Sequence, residues 1–84
     1  MPLPIAGEIE VVVGSATPVN IHGDGYADLA LFPPGDANPT MTRIPIRTFP
    51  ADAEGRVTLP SPGDRIIVRV LLGQVDSLRM ATED

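Results

Sequence analysis

Apolar residues alternate with polar ones through most of the chain, and this period of two is the feature that most limits what the chain can fold into. At residues 8–13, Ile9, Val11 and Val13 fall on one side, and Glu8 and Glu10 fall on the other. Successive side chains of a β-strand point to opposite faces, so such a segment predicts a strand with one face buried. Because no segment of ten residues shows a clean helical period, the sequence predicts an all-β protein.

Glycine and proline separate the alternating segments. The chain has ten prolines and eight glycines, and they fall between the apolar runs, where turn residues belong. About seven short strands with turn signals every 8–12 residues are typical of a small antiparallel β-sandwich, immunoglobulin-like or transthyretin-like, or of a β-barrel. No linker or internal repeat interrupts the pattern, so residues 1–84 are predicted to form one domain. The predicted strands lie at residues 8–13, 19–22, 26–32, 41–49, 57–59, 65–72 and 75–81.

The segment at residues 65–72 carries the strongest strand signal. One face is entirely apolar and is predicted to lie in the core, with a turn following at residues 73–74. The opposite face is also partly apolar, which implies more burial than one small sandwich offers. The core face consists of Ile66, Val68, Val70 and Leu72, and the opposite face consists of Arg65, Ile67, Arg69 and Leu71.

All six basic residues are arginines, and four of them pair up on two predicted strand faces. Pro45 lies between two of these arginines and has no N–H to give to a neighbour, which predicts an edge strand with this position facing outward. Arginine mixed with apolar side chains is typical of interface cores, whereas the alternative is a solvated sheet face. The sequence therefore predicts a partner-binding face made of Arg43, Pro45, Arg47, Phe49, Arg65, Ile67, Arg69 and Leu71.

Few residues are available for catalysis or metal binding, so no catalytic, cofactor or metal site is predicted. The chain has no cysteine, which excludes a disulfide framework, a thiolate zinc site and a cysteine nucleophile. His22 is the single histidine and is predicted to be an exposed residue beside a turn. Asp24, Asp28, Asp52 and Glu54 have the oxygen chemistry of calcium ligands, but their spacing does not match a calcium loop, and aspartate also favours turns for local reasons.

Charge and hydropathy exclude two classes of partner. The net charge of −5 argues against nucleic acid, because phosphate binding needs a basic face. No apolar run approaches the ~20 residues of a transmembrane helix. The first residues lack the basic start and apolar stretch of a signal peptide, so a cytoplasmic or virion location is expected.

Residues 52–60, followed by Pro62-Gly63 and residues 66–70, resemble a pattern from carboxypeptidase-regulatory-like and transthyretin-like domains. In those domains an acidic-x-x-Gly turn leads into a strand, then a Pro-Gly turn and a long apolar strand. The resemblance covers about 20 of the 84 residues. It departs where those families usually place a tyrosine after the second turn, since Asp64 and Arg65 stand there. It implies a seven-stranded sandwich and nothing about activity, because a fold does not fix a function.

These observations predict a non-enzymatic structural or interaction subunit of a larger assembly. A short chain with a thin core gains stability from partners, and small cysteine-free all-β subunits include virion head-decoration and cement proteins. The expected partner is another protein or a second copy of the chain. One alternative is an inhibitor or immunity-type module with an acidic binding surface. Another is a carbohydrate- or ligand-binding sandwich, which would have to use Tyr26, Phe32 and Phe49, the only aromatic residues.

Overall fold

The computed structural model describes residues 6–81 and shows an almost wholly β-stranded domain, which confirms the predicted fold class. Five antiparallel strands form one sheet in the order β3-β2-β1-β4-β5. Within residues 6–81 no helix is long and apolar enough to cross a membrane. The strands are β1 (Ala6–Ile21), β2 (Asp24–Phe32), β3 (Thr40–Pro45), β4 (Arg65–Leu71) and β5 (Gln74–Met80), and a short 3₁₀ turn (Ile46–Thr48) follows β3.

The strand order is a Greek key extended by one hairpin. Strands β1, β2 and β3 follow one another as adjacent neighbours, and the chain then returns through residues 46–64 to place β4 beside β1. Four antiparallel strands in the spatial order 4-1-2-3 define this motif. The final strand β5 is added to the outer side of β4.

The long strand β1 joins the two halves of the sheet. Its residues from Val12 to Ile21 pair with β2, and its residues from Ala6 to Val12 pair with β4. Gly14 is an extra residue between the pairs Val13↔Leu31 and Ser15↔Ala30, so the strand carries a β-bulge there. Bulges bend a strand and increase its twist, which lets one strand serve two neighbours.

The prediction of about seven strands is wrong in number, for two physical reasons. The segments at 8–13 and 19–22 are parts of the single strand β1, because the bulge keeps the strand continuous. Residues 57–59 form no strand, and only the isolated bridge Ala51↔Val57 is found there. Pro60 and Pro62 follow at once, and proline cannot donate to a strand ladder. All strands in residues 6–81 belong to one antiparallel sheet.

The core lies on one side of the sheet, and the alternation in the sequence explains which residues belong to it. Alternate residues are fully buried from Ala27 to Leu31 in β2 and from Ile66 to Val70 in β4. Each large apolar side chain taken out of water stabilises the fold by about 1.5–3 kcal/mol. The buried apolar residues are Val11, Val13, Ala27, Leu29, Leu31, Ile44, Phe49, Ile66, Val68, Val70 and Leu78.

Both edge strands carry features that hinder pairing with another strand. Pro45 lies on the edge strand β3, as predicted. On the other edge, Arg69↔Ser77 is followed by Val70↔Val75, so Asp76 is an extra residue in β5. Proline and bulges are two common ways in which proteins protect sheet edges.

Candidate functional site: an exposed hairpin turn and an apolar pocket

The predicted partner-binding residues of β4 lie together on the outer face of the sheet. Arg65, Arg69 and Leu71 are exposed and Ile67 is half-buried, while the residues between them are buried. The period of two therefore assigns this strand's faces correctly from residue 65 to residue 71.

The other predicted residues are divided between two places. Arg43 and Pro45 lie on β3, which β2 and β1 separate from β4 in the sheet, and Arg47 is exposed in the 3₁₀ turn. Phe49 is only 4% exposed and belongs to the core. Its assignment to the surface is therefore wrong: the 3₁₀ turn ends the alternation of β3 and directs this ring inward.

Ion pairs neutralise most of the arginines on the outer face. Arg65 lies 3.8 Å from Glu10, and Arg69 lies 3.7 Å from Asp76. Arg47 alone among the predicted arginines has no ion pair with another residue of the described range 6–81. Most charges on the outer face thus belong to exposed ion pairs, and such pairs contribute little to stability.

The closest of these pairs joins β2 to β3. Asp28 and Arg43 are direct partners in the strand register, and the guanidinium donates twice to the carboxylate, with Nε–Oδ1 at 2.7 Å and Nη2–Oδ2 at 3.0 Å. This two-bonded contact with Arg43 lowers the pKa of Asp28, against a weaker opposing effect of desolvation. Asp28 is thereby committed to a structural contact within the sheet.

The turn between β4 and β5 exposes a leucine in a strained conformation. The pair Leu71↔Gln74 leaves Leu72-Gly73 as a two-residue loop, with φ of 54° and 78°. Positive φ at both loop residues is the type I′ geometry, which favours asparagine, aspartate and glycine. The left-handed region costs an ordinary residue about 1–2 kcal/mol. The side chain of Leu72 is nevertheless 88% exposed and that of Leu71 is 43% exposed, so the hairpin presents two leucines to solvent.

The prediction that Leu72 lies in the core is wrong, because the strand ends one residue earlier than its alternation suggests. The residue continues the alternation of Ile66, Val68 and Val70, which assigns it to the core, but the strand ends at Leu71 and the turn comes at residues 72–73 rather than 73–74. The sequence signal for the turn is Gly73, which directly follows Leu72 and favours a two-residue loop at these positions. His22-Gly23 forms the β1–β2 turn in the same way, with φ of 52° and 87°. Histidine tolerates positive φ better than leucine does, so only one of these turns violates the usual residue preference.

An apolar pocket of about 260 Å³ lies at the far end of β5. It forms because residues 49–60 leave the 3₁₀ turn, cross the end of β5 and are held in a bend by the bridge Ala51↔Val57. Asp52 fastens this bend by accepting hydrogen bonds from the backbone N–H groups of Glu54 and Arg56, at 3.0 and 2.8 Å. The lining residues are Phe49, Pro50, Ala51, Asp52, Arg56, Thr58, Pro60, Leu78 and Met80.

A second, more polar cleft of about 500 Å³ separates the two edge strands. Thr42, Arg43 and Pro45 of β3 line one side, and Gln74 and Asp76 of β5 line the other. The sheet is therefore curled enough for its edges to face the same space. Because Pro45 and the Asp76 bulge lie along this cleft, its walls are poorly suited to accept an added strand.

The acidic residues considered for metal binding do not come together within residues 6–81. No group of three or more histidine, cysteine, aspartate or glutamate side chains comes together there. Asp28 pairs with Arg43 and Asp52 organises its own turn, as the turn interpretation of aspartate predicts. His22 is exposed in the β1–β2 turn, as expected.

Comparison with protein-family models, curated proteins and solved structures finds no match to this chain. The hairpin turn, the outer face and the pocket are the features of residues 6–81 that bear on function.

Proposed function

We propose that this protein is a non-enzymatic interaction subunit of a larger protein assembly and that it contacts the assembly through the β4–β5 hairpin. The observation that carries the proposal is Leu72, which is 88% exposed at a positive φ. Leucine is an unfavourable residue for the positive φ of this turn, and its apolar side chain is unfavourably exposed to water. Backbone strain of this kind is found mainly at functional positions, and burial against a partner would offset it.

The outer face of β4 extends this contact into a surface. Leu71 adjoins the turn, and Ile67 and Arg69 continue along the same face. A few side chains buried near the centre of an interface supply most binding energy in protein complexes, and an aliphatic anchor seated in a pocket can be one of them. The predicted residues of β4 fit that arrangement, with Leu72 as the anchor.

The expected partner surface is an apolar pocket with a polar rim. Arg65 and Arg69 are already paired with carboxylates on the outer face, so this face has no strong local charge that would select an acidic or a basic partner surface. A carbohydrate site is less well supported, because Tyr26 and Phe32 are half-buried and Phe49 is buried, leaving no exposed aromatic ring in residues 6–81. An inhibitor acting through acidic charge would bind much more weakly at high salt, which separates it from an apolar contact.

The substitution Leu72→Asn tests the proposal, with His22→Asn as a matched control at the equivalent position of the other type I′ turn. The tagged protein is sized by sedimentation in an extract of its source cells. We expect the unchanged protein and His22→Asn to sediment with a large complex, and Leu72→Asn to sediment at the size of a free chain. Equal sedimentation of all three would refute the proposed site. If the assembly is a virion, as expected for a head-decoration or cement protein, the complex should sediment with nucleic-acid-containing particles.

A further inference from the structure

We infer that the hairpin turn of one copy inserts Leu72 into the apolar pocket of a second copy, so that the chain associates head to tail with itself. This inference rests on the proposed function and names the partner of the same hairpin. One chain carries both halves of the contact: a protruding leucine at the start of β5 and an apolar pocket at its end.

The pocket has the size and chemistry that a leucine side chain requires. An apolar cavity of about 150 Å³ is enough to hold benzene, so a pocket of about 260 Å³ has room for the four carbons of a leucine side chain. Phe49, Pro60 and Leu78 supply apolar walls, and Met80 adds a flexible side chain that is 48% exposed at the rim. Methionine adapts its shape to an incoming group better than other apolar residues do.

The geometry prevents a chain from filling its own pocket. The turn at Leu72-Gly73 precedes Gln74, the first residue of β5, whereas Leu78 and Met80 lie at the other end of that strand. A strand rises about 3.3 Å per residue, so the two features are roughly 20 Å apart along it. A leucine side chain cannot span that distance.

The two exposed apolar features complement each other, so each contact between copies covers the leucine of one chain and the pocket of the next. The charged residues nearest each feature are already paired within the chain: Arg69 with Asp76 beside the hairpin, and Arg56 with Asp52 at the pocket rim. No unpaired charge therefore has to be buried when the contact forms. Each copy carries a net charge of −5, so salt should strengthen the association by screening long-range repulsion.

Contact between two different patches is heterologous, and it builds a ring if the rotation closes or a filament if it does not. One leucine in one pocket makes a small contact. We therefore expect the association to be weak and concentration-dependent, and to gain strength where a ring closes or where a surrounding assembly holds the copies together.

Two variants, each damaging one half of the contact, test the inference. Leu72→Asn removes the protruding side chain, and Thr58→Phe places a ring in the pocket from an exposed lining position. Sedimentation equilibrium over a wide concentration range, at low and high salt, should show self-association of the unchanged chain. Each variant alone should weaken it by about tenfold or more. His22→Asn should leave it unchanged.

The mixture of the two variants gives the sharpest result. The Thr58→Phe chain keeps its leucine and the Leu72→Asn chain keeps its pocket, so together they can form one contact and no second one. We expect a 1:1 heterodimer and nothing larger. A symmetric dimer that survives in Thr58→Phe, or a mixture that stays monomeric while the unchanged chain associates, would overturn the inference.

The outcome also separates this inference from the proposed function. If the unchanged chain is monomeric at every concentration and salt, but Leu72→Asn still frees it from its native assembly, the head-to-tail contact is refuted and the proposed function stands. If Leu72→Asn leaves the native assembly intact but still abolishes self-association of the purified chain, the proposed docking role of the hairpin is refuted and the head-to-tail contact stands.

Discussion

Gly14 and Phe32 fit together so closely that a side chain at position 14 would force the ring of Phe32 to move. A Cβ atom added to Gly14 would lie 2.6 Å from Cε2 of the Phe32 ring, closer than such carbons approach one another. The contact holds the bulge of β1 against the end of β2. The glycine is thus required by the packing of an aromatic ring.

Gly14→Ala should therefore destabilise the protein by about 1–3 kcal/mol, the usual range for overpacking. Urea denaturation measures the effect, and Ser15→Ala, at the exposed next position, is the control. In a Phe32→Ala background the same glycine substitution should cost much less, because the clashing ring is gone. An equal cost in both backgrounds would show that the ring is not the reason for the glycine.

Val68 and Val70 lie on the core face of β4 and are fully buried. Val68→Ala should cost about 1–3 kcal/mol through lost burial and a cavity. Val70→Asp should prevent folding, because an unpaired carboxylate would be buried. Circular dichroism and thermal melting report both effects. A Val70→Asp protein with native thermal stability would contradict the strand register.

Leu72→Asn should raise stability, although it removes the proposed anchor. Asparagine tolerates positive φ, and the left-handed region costs leucine about 1–2 kcal/mol, so a gain of up to about 1 kcal/mol is expected. Thermal melting at low protein concentration checks it, and His22→Asn should change stability less. A loss of stability would mean that Leu72 packs within its own chain. A gain in stability together with lost association would identify a residue kept for binding.

Arg43 lowers the pKa of Asp28. Because the pKa is lower in the folded state than in the unfolded state, the stabilisation is fully present above the unfolded value and is lost as pH falls through the folded value. NMR titration of the Asp28 carboxyl should give a pKa below that of an ordinary aspartate, and Arg43→Met should return it toward that value. In thermal melting at neutral pH, the ion pair should make the unchanged protein more stable than the Asp28→Asn variant. This difference in stability should disappear in acid. An unchanged titration in Arg43→Met would refute the coupling.

The predicted arginine contacts, which the structure places on β4 and in the 3₁₀ turn, are tested by the double substitution Arg47→Glu with Arg69→Glu. Both side chains are exposed, so the fold should persist, as a melting curve would verify. Binding to the native assembly should weaken, because arginine forks suit interface pairing and glutamate reverses the charge. Unchanged binding by a folded variant would restrict the docking surface to the leucines.

The fold was largely predictable because alternation depends on local chemistry. The faces of β2 and β4 and the edge position of Pro45 all follow from side-chain order or from a missing N–H group. The continuity of β1 was not predictable, since it depends on how the bulge at Gly14 meets a ring on another strand.

The candidate site was harder to predict, because its key residues obey the local pattern while their environment is set by distant parts of the chain. Leu72 continues the core alternation, and only pairing with β5 turns it outward. Phe49 follows an apparent strand, yet the 3₁₀ turn directs it inward. The pocket depends on the path of residues 49–60, which no short pattern encodes.

Because β1 is divided between two neighbours, its two halves find their pairing partners at different stages of synthesis. The second half of β1 can pair with β2 soon after both are synthesised, because one tight turn joins them. The first half must wait for β4, since Ala6 pairs with Leu71 and Glu8 with Arg69. Contacts so distant in sequence form slowly. During translation the apolar side of residues 8–13 therefore stays exposed until almost the whole domain has left the ribosome, and this segment is where a nascent chain is most exposed to aggregation.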